Sequence, residues 1–172
     1  MKVIICGLPG TGKTSLAQLI LNEYQYRIIS DWSIFEQNNI IVNKNENKNI
    51  VSGKYSRLLL DNISNQNDNV VVDLEYSISP SDFIEYNQYS DIKIVYLGFL
   101  SVDEETLFHL FRNSDSNNKY TDDELKLQIK SYKEISVEYK QQCDKCNIKF
   151  FDINKARKLV WREVLDYLDI RK

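Results

Sequence analysis

Residues 7–14 read Gly7-Leu8-Pro9-Gly10-Thr11-Gly12-Lys13-Thr14, directly after the apolar run Val3–Cys6. They satisfy the spacing G-x-x-x-x-G-K-[ST] at every fixed position. The context also fits. A short continuous apolar run reads as a strand buried on both faces, and Leu16, Leu19, Ile20 and Tyr24 recur at helical spacing over Thr14–Tyr24. Glycines allow the backbone to wrap an anion with its N–H groups turned inward. The start of the helix adds the positive end of its dipole. Lys13 is placed to reach the β- and γ-phosphates, and Thr14 to offer a hydroxyl to Mg²⁺. The chain holds only 5 Gly and 2 Pro. Gly7, Gly10, Gly12 and Pro9 all fall in this one loop, so the turn formers are concentrated where the loop needs them. Residues 7–15, with Ser15 as the last, are the expected site for a nucleoside triphosphate, read as ATP with Mg²⁺.

The rest of the chain alternates strand and helix. Strands are expected at Arg27–Ser30, Val70–Asp73, Ile92–Leu97 and Ile148–Ile153, in addition to the first. Helices are expected at Trp32–Gln37, Ser56–Ile63, Ser81–Asn87 after Pro80, Val102–Asn113, Thr121–Cys143 and Ala156–Leu168. Thr121 with Glu124 has the spacing of a capping box. Asp103, Glu104 and Glu105 complement the dipole of the helix they open. Asn38–Asn49 reads as a polar surface loop. Such alternation implies an α/β fold, a parallel sheet of five strands with helices on both faces in three layers.

At 172 residues, with 42% hydrophobic and 27% charged residues, the chain suits one domain with a real core. A net charge of −3 argues against a protein that coats nucleic acid. No apolar run approaches the roughly 18–20 residues of a membrane span. The first residues, Met1–Cys6, are too short before Gly7 to form a signal peptide. Three cysteines, an odd number, suit a reducing cytoplasm. Cys143-Asp144-Lys145-Cys146 lacks a second pair and follows a long helix, so it reads as incidental thiols rather than a zinc or redox site.

Guanine-reading Asn-Lys-x-Asp is absent: Asn43-Lys44 and Asn154-Lys155 continue as Asn45-Glu46 and Ala156-Arg157. Asp73 is followed by Leu74 and then Glu75, unlike the Asp-Glu pair of motor-type ATPases. With its early glycine loop and short length, the whole chain resembles the P-loop small-molecule kinases. These comprise the nucleoside, nucleoside-monophosphate, polynucleotide-end and shikimate/gluconate-type kinases. The resemblance implies the strand order 2-3-1-4-5 and a single kinase domain over residues 1–172, with a lid at about 112–121.

It also implies roles. Asp31, at the end of the second strand, would contact the phosphate acceptor, as general base for a hydroxyl or as an orienting group for a phosphate. Trp32 beside it would stack on a base or sugar, and Arg57 would neutralise an acceptor anion, with Lys54 a weaker helper. Asp73, ending the third strand, would hold Mg²⁺ together with Thr14; Glu75, two residues on and so on the same side by strand spacing, is a weaker candidate for metal or acceptor contact. Arg112 matches a lid arginine for the moving phosphoryl group, with Lys119 as helper. His109, one turn earlier, reads as a helix residue rather than a catalyst. Gln128 stands where a further lid-side arginine is usual. Asn154, Lys155 and Ala156 would lie over the adenine, and Arg157 would either stack on the base or belong to the last helix.

The expected activity is transfer of the γ-phosphoryl of MgATP to a small acceptor, a nucleoside or (deoxy)nucleoside monophosphate, with Lys13, Asp31 and Arg112 as catalytic residues. The alternatives are a hydroxyl-bearing metabolite or a polynucleotide 5′ end as acceptor, and a non-kinase ATP-dependent switch. The expected partner is a small molecule rather than a membrane, and nucleic acid only as a 5′-end substrate. Either a monomer or a homodimer is compatible.

Overall fold

The computed structural model describes residues 1–37, 48–74, 78–83, 86–114, 119–154 and 156–170, with backbone alone at 32, 35, 37 and 48–52. Five strands form one sheet in the order β2-β3-β1-β4-β5. They are β1 (Lys2–Gly7), β2 (Arg27–Ser30), β3 (Val70–Asp73), β4 (Ile92–Gly98) and β5 (Lys149–Asp152). Every pair is parallel. The parallel pairing is the one expected from the strand–helix alternation, and the order is the one the family resemblance implies.

β1 is central because both of its faces are apolar. Val3, Ile4 and Ile5 are fully buried, as are Val70, Val71 and Val72 on β3, with Val3 opposite Val71 and Ile4 opposite Val72 in the parallel register. A side chain of this size contributes about 1.5–3 kcal/mol on full burial, so the middle of the sheet anchors the fold. The helices are α1 (Lys13–Tyr24), α2 (Asp31–Gln37), α3 (Lys48–Ser64), α4 (Glu104–Arg112), α5 (Asp122–Cys146) and α6 (Arg157–Leu168). On one side Leu19 and Tyr24 of α1 line one cavity together with Trp161 and Leu165 of α6. On the other, α3 and α5 are joined by the segment after β3. There Ser56 Oγ donates to the Asp82 carbonyl at 2.6 Å, and the Ser81 amide donates to Gln142 Oε1 at 3.2 Å.

That segment departs from expectation. Instead of one helix over 81–87 it forms two single 3₁₀ turns, Pro80–Phe83 and Tyr86–Gln88. Its inward residue, Phe83, packs edge-on to Tyr96 of β4, whose hydroxyl donates to the Ile78 carbonyl at 2.7 Å. Packing against the sheet holds the chain here more firmly than an isolated short helix could hold itself. α3 begins at Lys48, well before the expected Ser56, and so takes in Lys48 and Asn49 at the end of the Asn/Lys-rich stretch that reads as loop. Most of that stretch, residues 38–47, lies outside the described residues.

Helix ends explain how so few glycines suffice. Gln25, Asn147 and Asp169 take the left-handed conformation at the C-terminal ends of α1, α5 and α6. α5 starts with the expected capping box, Thr121 and Glu124 each bonding the other's backbone N–H. No helix among the described residues is long and apolar enough to cross a membrane.

Candidate functional site

The glycine loop joins the C-terminal end of β1 to the start of α1. Its three glycines take positive φ, +138° at Gly7, +79° at Gly10 and +90° at Gly12. At Gly7 a side chain is also excluded by space, since a Cβ would lie 2.1 Å from the Leu97 carbonyl oxygen on β4. Gly12 precedes α1 with no side chain capping the helix, so the first-turn N–H groups stay available to an anion. Inside the loop, donors converge on one oxygen. The Leu8 carbonyl accepts from Thr11 Oγ1 at 2.7 Å, from the Thr11 amide at 3.4 Å and from Lys13 Nζ at 3.3 Å. Thr11 is fully buried, whereas Thr14 and Ser15 on the first turn of α1 are exposed. The loop thus presents an ammonium, two hydroxyls and helix-end amides at the carboxyl edge of the sheet, where open α/β sheets bind ligands.

Two carboxylates stand at the same edge. Asp31 opens α2 directly after β2 and is 2% exposed; Asp73 ends β3 and is 8% exposed. The register places Ser30 opposite Asp73, and Ile5 of β1 opposite Asp73 on the other side. Asp73 Oδ1 is buried with no hydrogen-bond partner. A buried carboxylate oxygen left in this way costs about 1–3 kcal/mol or more, and a hard cation would relieve it. Among the described residues no three His, Cys, Asp or Glu side chains group closely enough to hold a metal by themselves. Asp73 with the Thr14 hydroxyl suits Mg²⁺ held mainly by water and phosphate oxygens.

Beside the loop, on the β5 side, lies a cavity of about 410 Å³. Phe99, Leu107, Leu110, Ile153, Asn154 and Trp161 supply most of its wall. Its rim is fixed by two charged residues that sequence reading does not single out. The Asp152 carboxylate accepts from the amides of Leu100 and Ser101 at 2.6 and 3.0 Å. Lys133 Nζ donates to the carbonyls of Leu100 and Val102 at 2.6 and 2.5 Å. A carboxylate closing a strand was a visible signal for the first; nothing in the sequence marked the second. The Asn154 side chain turns back to accept from the Ala156 amide at 2.9 Å. The Trp161 indole N–H is buried without an acceptor.

Other expected site residues fall elsewhere. Arg57 is exposed and lines a separate cavity of about 430 Å³ between α3 and the 3₁₀ turns, with Lys54, Ser81, Asp82, Gln88 and Tyr89. Arg112 donates to the Tyr120 carbonyl at 2.9 Å, pairs with Asp122 and lies over the Phe108 ring at 5.6 Å. Its guanidinium therefore holds the two ends of the 113–121 segment together. Lys119 is exposed, with its ammonium over the Tyr120 ring at 5.2 Å. His109 is exposed on α4 with its ring against Phe108. Gln128 donates to the Tyr132 hydroxyl at 2.8 Å, while its Oε1 is buried without a partner. Glu75, Lys155 and the side chain of Trp32 lie outside the described residues, as do residues 115–118 of the expected lid. Cys143 is buried and burial pushes its thiol up to about 12, which disables it as a nucleophile or ligand at neutral pH.

Comparison with known structures identifies the fold, which solved shikimate kinases and a gluconokinase share. The chain is similar to the shikimate kinase of Bacteroides thetaiotaomicron, with 19% identity over 98% of both chains and a TM-score of 0.60. It is similar to a gluconokinase from Sinorhizobium meliloti 1021, with 14% identity, 98% of this chain and 91% of that one covered, and a TM-score of 0.57. The shikimate kinase of Acinetobacter baumannii in complex with shikimate matches at 14% identity, 98% and 93% coverage and a TM-score of 0.59. No family model and no curated protein matches the sequence.

Proposed function

We propose that this chain, acting as one kinase domain, transfers the γ-phosphoryl of MgATP to a hydroxyl of a small metabolite. The observation that carries the reading is the pair of buried carboxylates, Asp31 and Asp73, at the ends of neighbouring strands beside a complete phosphate loop. An ATPase switch needs the loop and one metal carboxylate; it does not need the second. The structural neighbours include kinases named for hydroxyl-bearing acceptors. That favours a hydroxyl acceptor over a nucleoside monophosphate, whose phosphate needs no base.

In this reading the loop amides and Lys13 bind the β- and γ-phosphates, and Thr14 with Asp73 holds Mg²⁺, which neutralises charge on those phosphates when bound. Asp31 accepts the proton of the acceptor hydroxyl as its oxygen forms a bond to the γ-phosphorus. The bond from that phosphorus to the bridging oxygen breaks, and its electron pair leaves on ADP. Asn154 lines the cavity that takes the base, and Lys155 and Ala156, next in sequence, remain candidates for the same role. Arg112 reaches the transferring group only by exchanging Asp122 for it. Trp32, Arg57 and Glu75 remain the acceptor-side candidates.

A screen of acceptor-dependent ADP release tests this. It would cover polyols, cyclic and open-chain hydroxy acids, nucleosides, nucleoside monophosphates and 5′-hydroxyl oligonucleotides. Stimulation by a hydroxyl compound supports the proposal. Stimulation by monophosphates alone restores the nucleotide-kinase alternative, and stimulation by none favours the switch.

A further inference from the structure

Arg157, the first residue of α6, reaches back to the phosphate loop: its Nη2 donates to the Gly10 carbonyl at 3.0 Å. The same side chain runs beside Gly12, its Cδ 3.3 Å from where a Cβ would stand, and Trp161 one turn on packs there at 3.1 Å. Arg157 also lines the apolar cavity next to the loop. The guanidinium is half-buried, and burial lowers its pKa, yet arginine stays protonated at any physiological pH. A charge-assisted hydrogen bond of this kind is stronger than a neutral one, so it can be put to use in fixing one backbone carbonyl.

The use follows from peptide geometry. No peptide bond among the described residues is cis, and in a trans peptide the C=O and the following N–H point in opposite directions. Holding the Gly10 carbonyl outward, toward α6, therefore turns the Thr11 N–H inward. There it lies 3.4 Å from the Leu8 carbonyl, a long and weak contact that leaves the donor available to a phosphate. Gly10 itself, with φ +79° and no side chain, has little intrinsic preference between this peptide orientation and its flip. A charged donor biases that choice.

We propose that Arg157 is a positioning residue for the phosphate loop, acting on the Gly10–Thr11 peptide and not only on whatever occupies the cavity. The proposal rests on the reading of residues 7–15 as a triphosphate site. It separates from a simple base contact because it applies to a ligand that has no base.

The test is calorimetric titration of magnesium tripolyphosphate and of MgATP into wild type, Arg157→Ala, Arg157→Lys and Arg162→Ala. Arg162, exposed on the same helix, controls for loss of charge. Arg157→Ala is expected to weaken both ligands by roughly tenfold, the worth of a hydrogen bond to a charged donor. Arg157→Lys should regain part of the loss, since one ammonium can still reach one carbonyl, and Arg162→Ala should change neither ligand. Loss for MgATP with tripolyphosphate unchanged overturns the proposal in favour of a base contact. Equal losses in Arg157→Ala and Arg162→Ala overturn it in favour of net charge, and no change in any variant overturns it outright. Should Arg157→Ala lose its circular dichroism, Arg157→Lys decides in the same way: parallel loss of both ligands supports the proposal, and loss of MgATP alone overturns it. Wild type that binds neither ligand overturns the triphosphate reading itself, which no outcome among the variants does.

Discussion

Ser30 is the in-register partner of Asp73 across the parallel β2–β3 pair, so Asp31, the next residue, leaves the sheet at the same edge as Asp73. Two buried carboxylates thereby stand at the ends of strands of four residues each, Asp73 as the last residue of β3 and Asp31 as the first of α2. Strand ends are rigid, which suits groups that must be placed within a fraction of an ångström of reacting atoms.

Asp73→Asn keeps shape and removes the charge. Its Oδ1 has no partner, so the fold should tolerate the change and the metal should not. We expect the Mg²⁺ concentration for half-maximal activity to rise by about tenfold or more. Titration of activity against Mg²⁺ checks this, and an unchanged midpoint removes Asp73 from the metal site.

Lys13→Ala should lower phosphoryl transfer by roughly 10²-fold or more while leaving circular dichroism unaltered, because the side chain stands at the edge of the sheet on the first residue of α1 and is not part of the apolar core. Near-normal turnover in folded Lys13→Ala protein contradicts the reading of the loop.

The loop and the strands were legible because both rest on local pattern, fixed glycine spacing and apolar runs such as Val3–Cys6 that only a doubly covered strand requires; the strand order came instead from the family resemblance. What could not be read depends on long-range contacts. The 3₁₀ turns around Phe83 exist through Tyr96, and the Arg157–Gly10 contact joins opposite ends of the chain. Arg112 carried the right residue type for a lid cation, but its pairing with Asp122 follows from how α4 meets α5. Arg57 likewise lines a cavity set by the 3₁₀ segment, which helical spacing could not foresee.

Alkaline stability provides a check on the core. Burial pushes the Cys143 thiol up to about 12, and Cys6 and Tyr96 are raised as well. In the unfolded chain a thiol titrates near about 8.5. Above that pH the unfolded state has released a proton that the folded state keeps, so stability falls as pH rises, by about 1.4 kcal/mol per unit for each such thiol. Urea midpoints measured from pH 8 to 11 should decline, and less steeply in Cys143→Ala. A flat midpoint across that range would contradict the burial of these thiols.

The most direct measurement compares Asp31→Asn with wild type in acceptor-dependent ADP release and, separately, in ATP affinity. If Asp31 takes the acceptor's proton, transfer falls by roughly 10²-fold or more, expressed mainly in kcat, while ATP binds within about twofold of wild type because residues 7–15 hold it independently. Asp31→Asn protein that loses ATP affinity and transfer in equal measure, or that transfers at the wild-type rate, contradicts the assignment of this chain as a hydroxyl kinase working through Asp31.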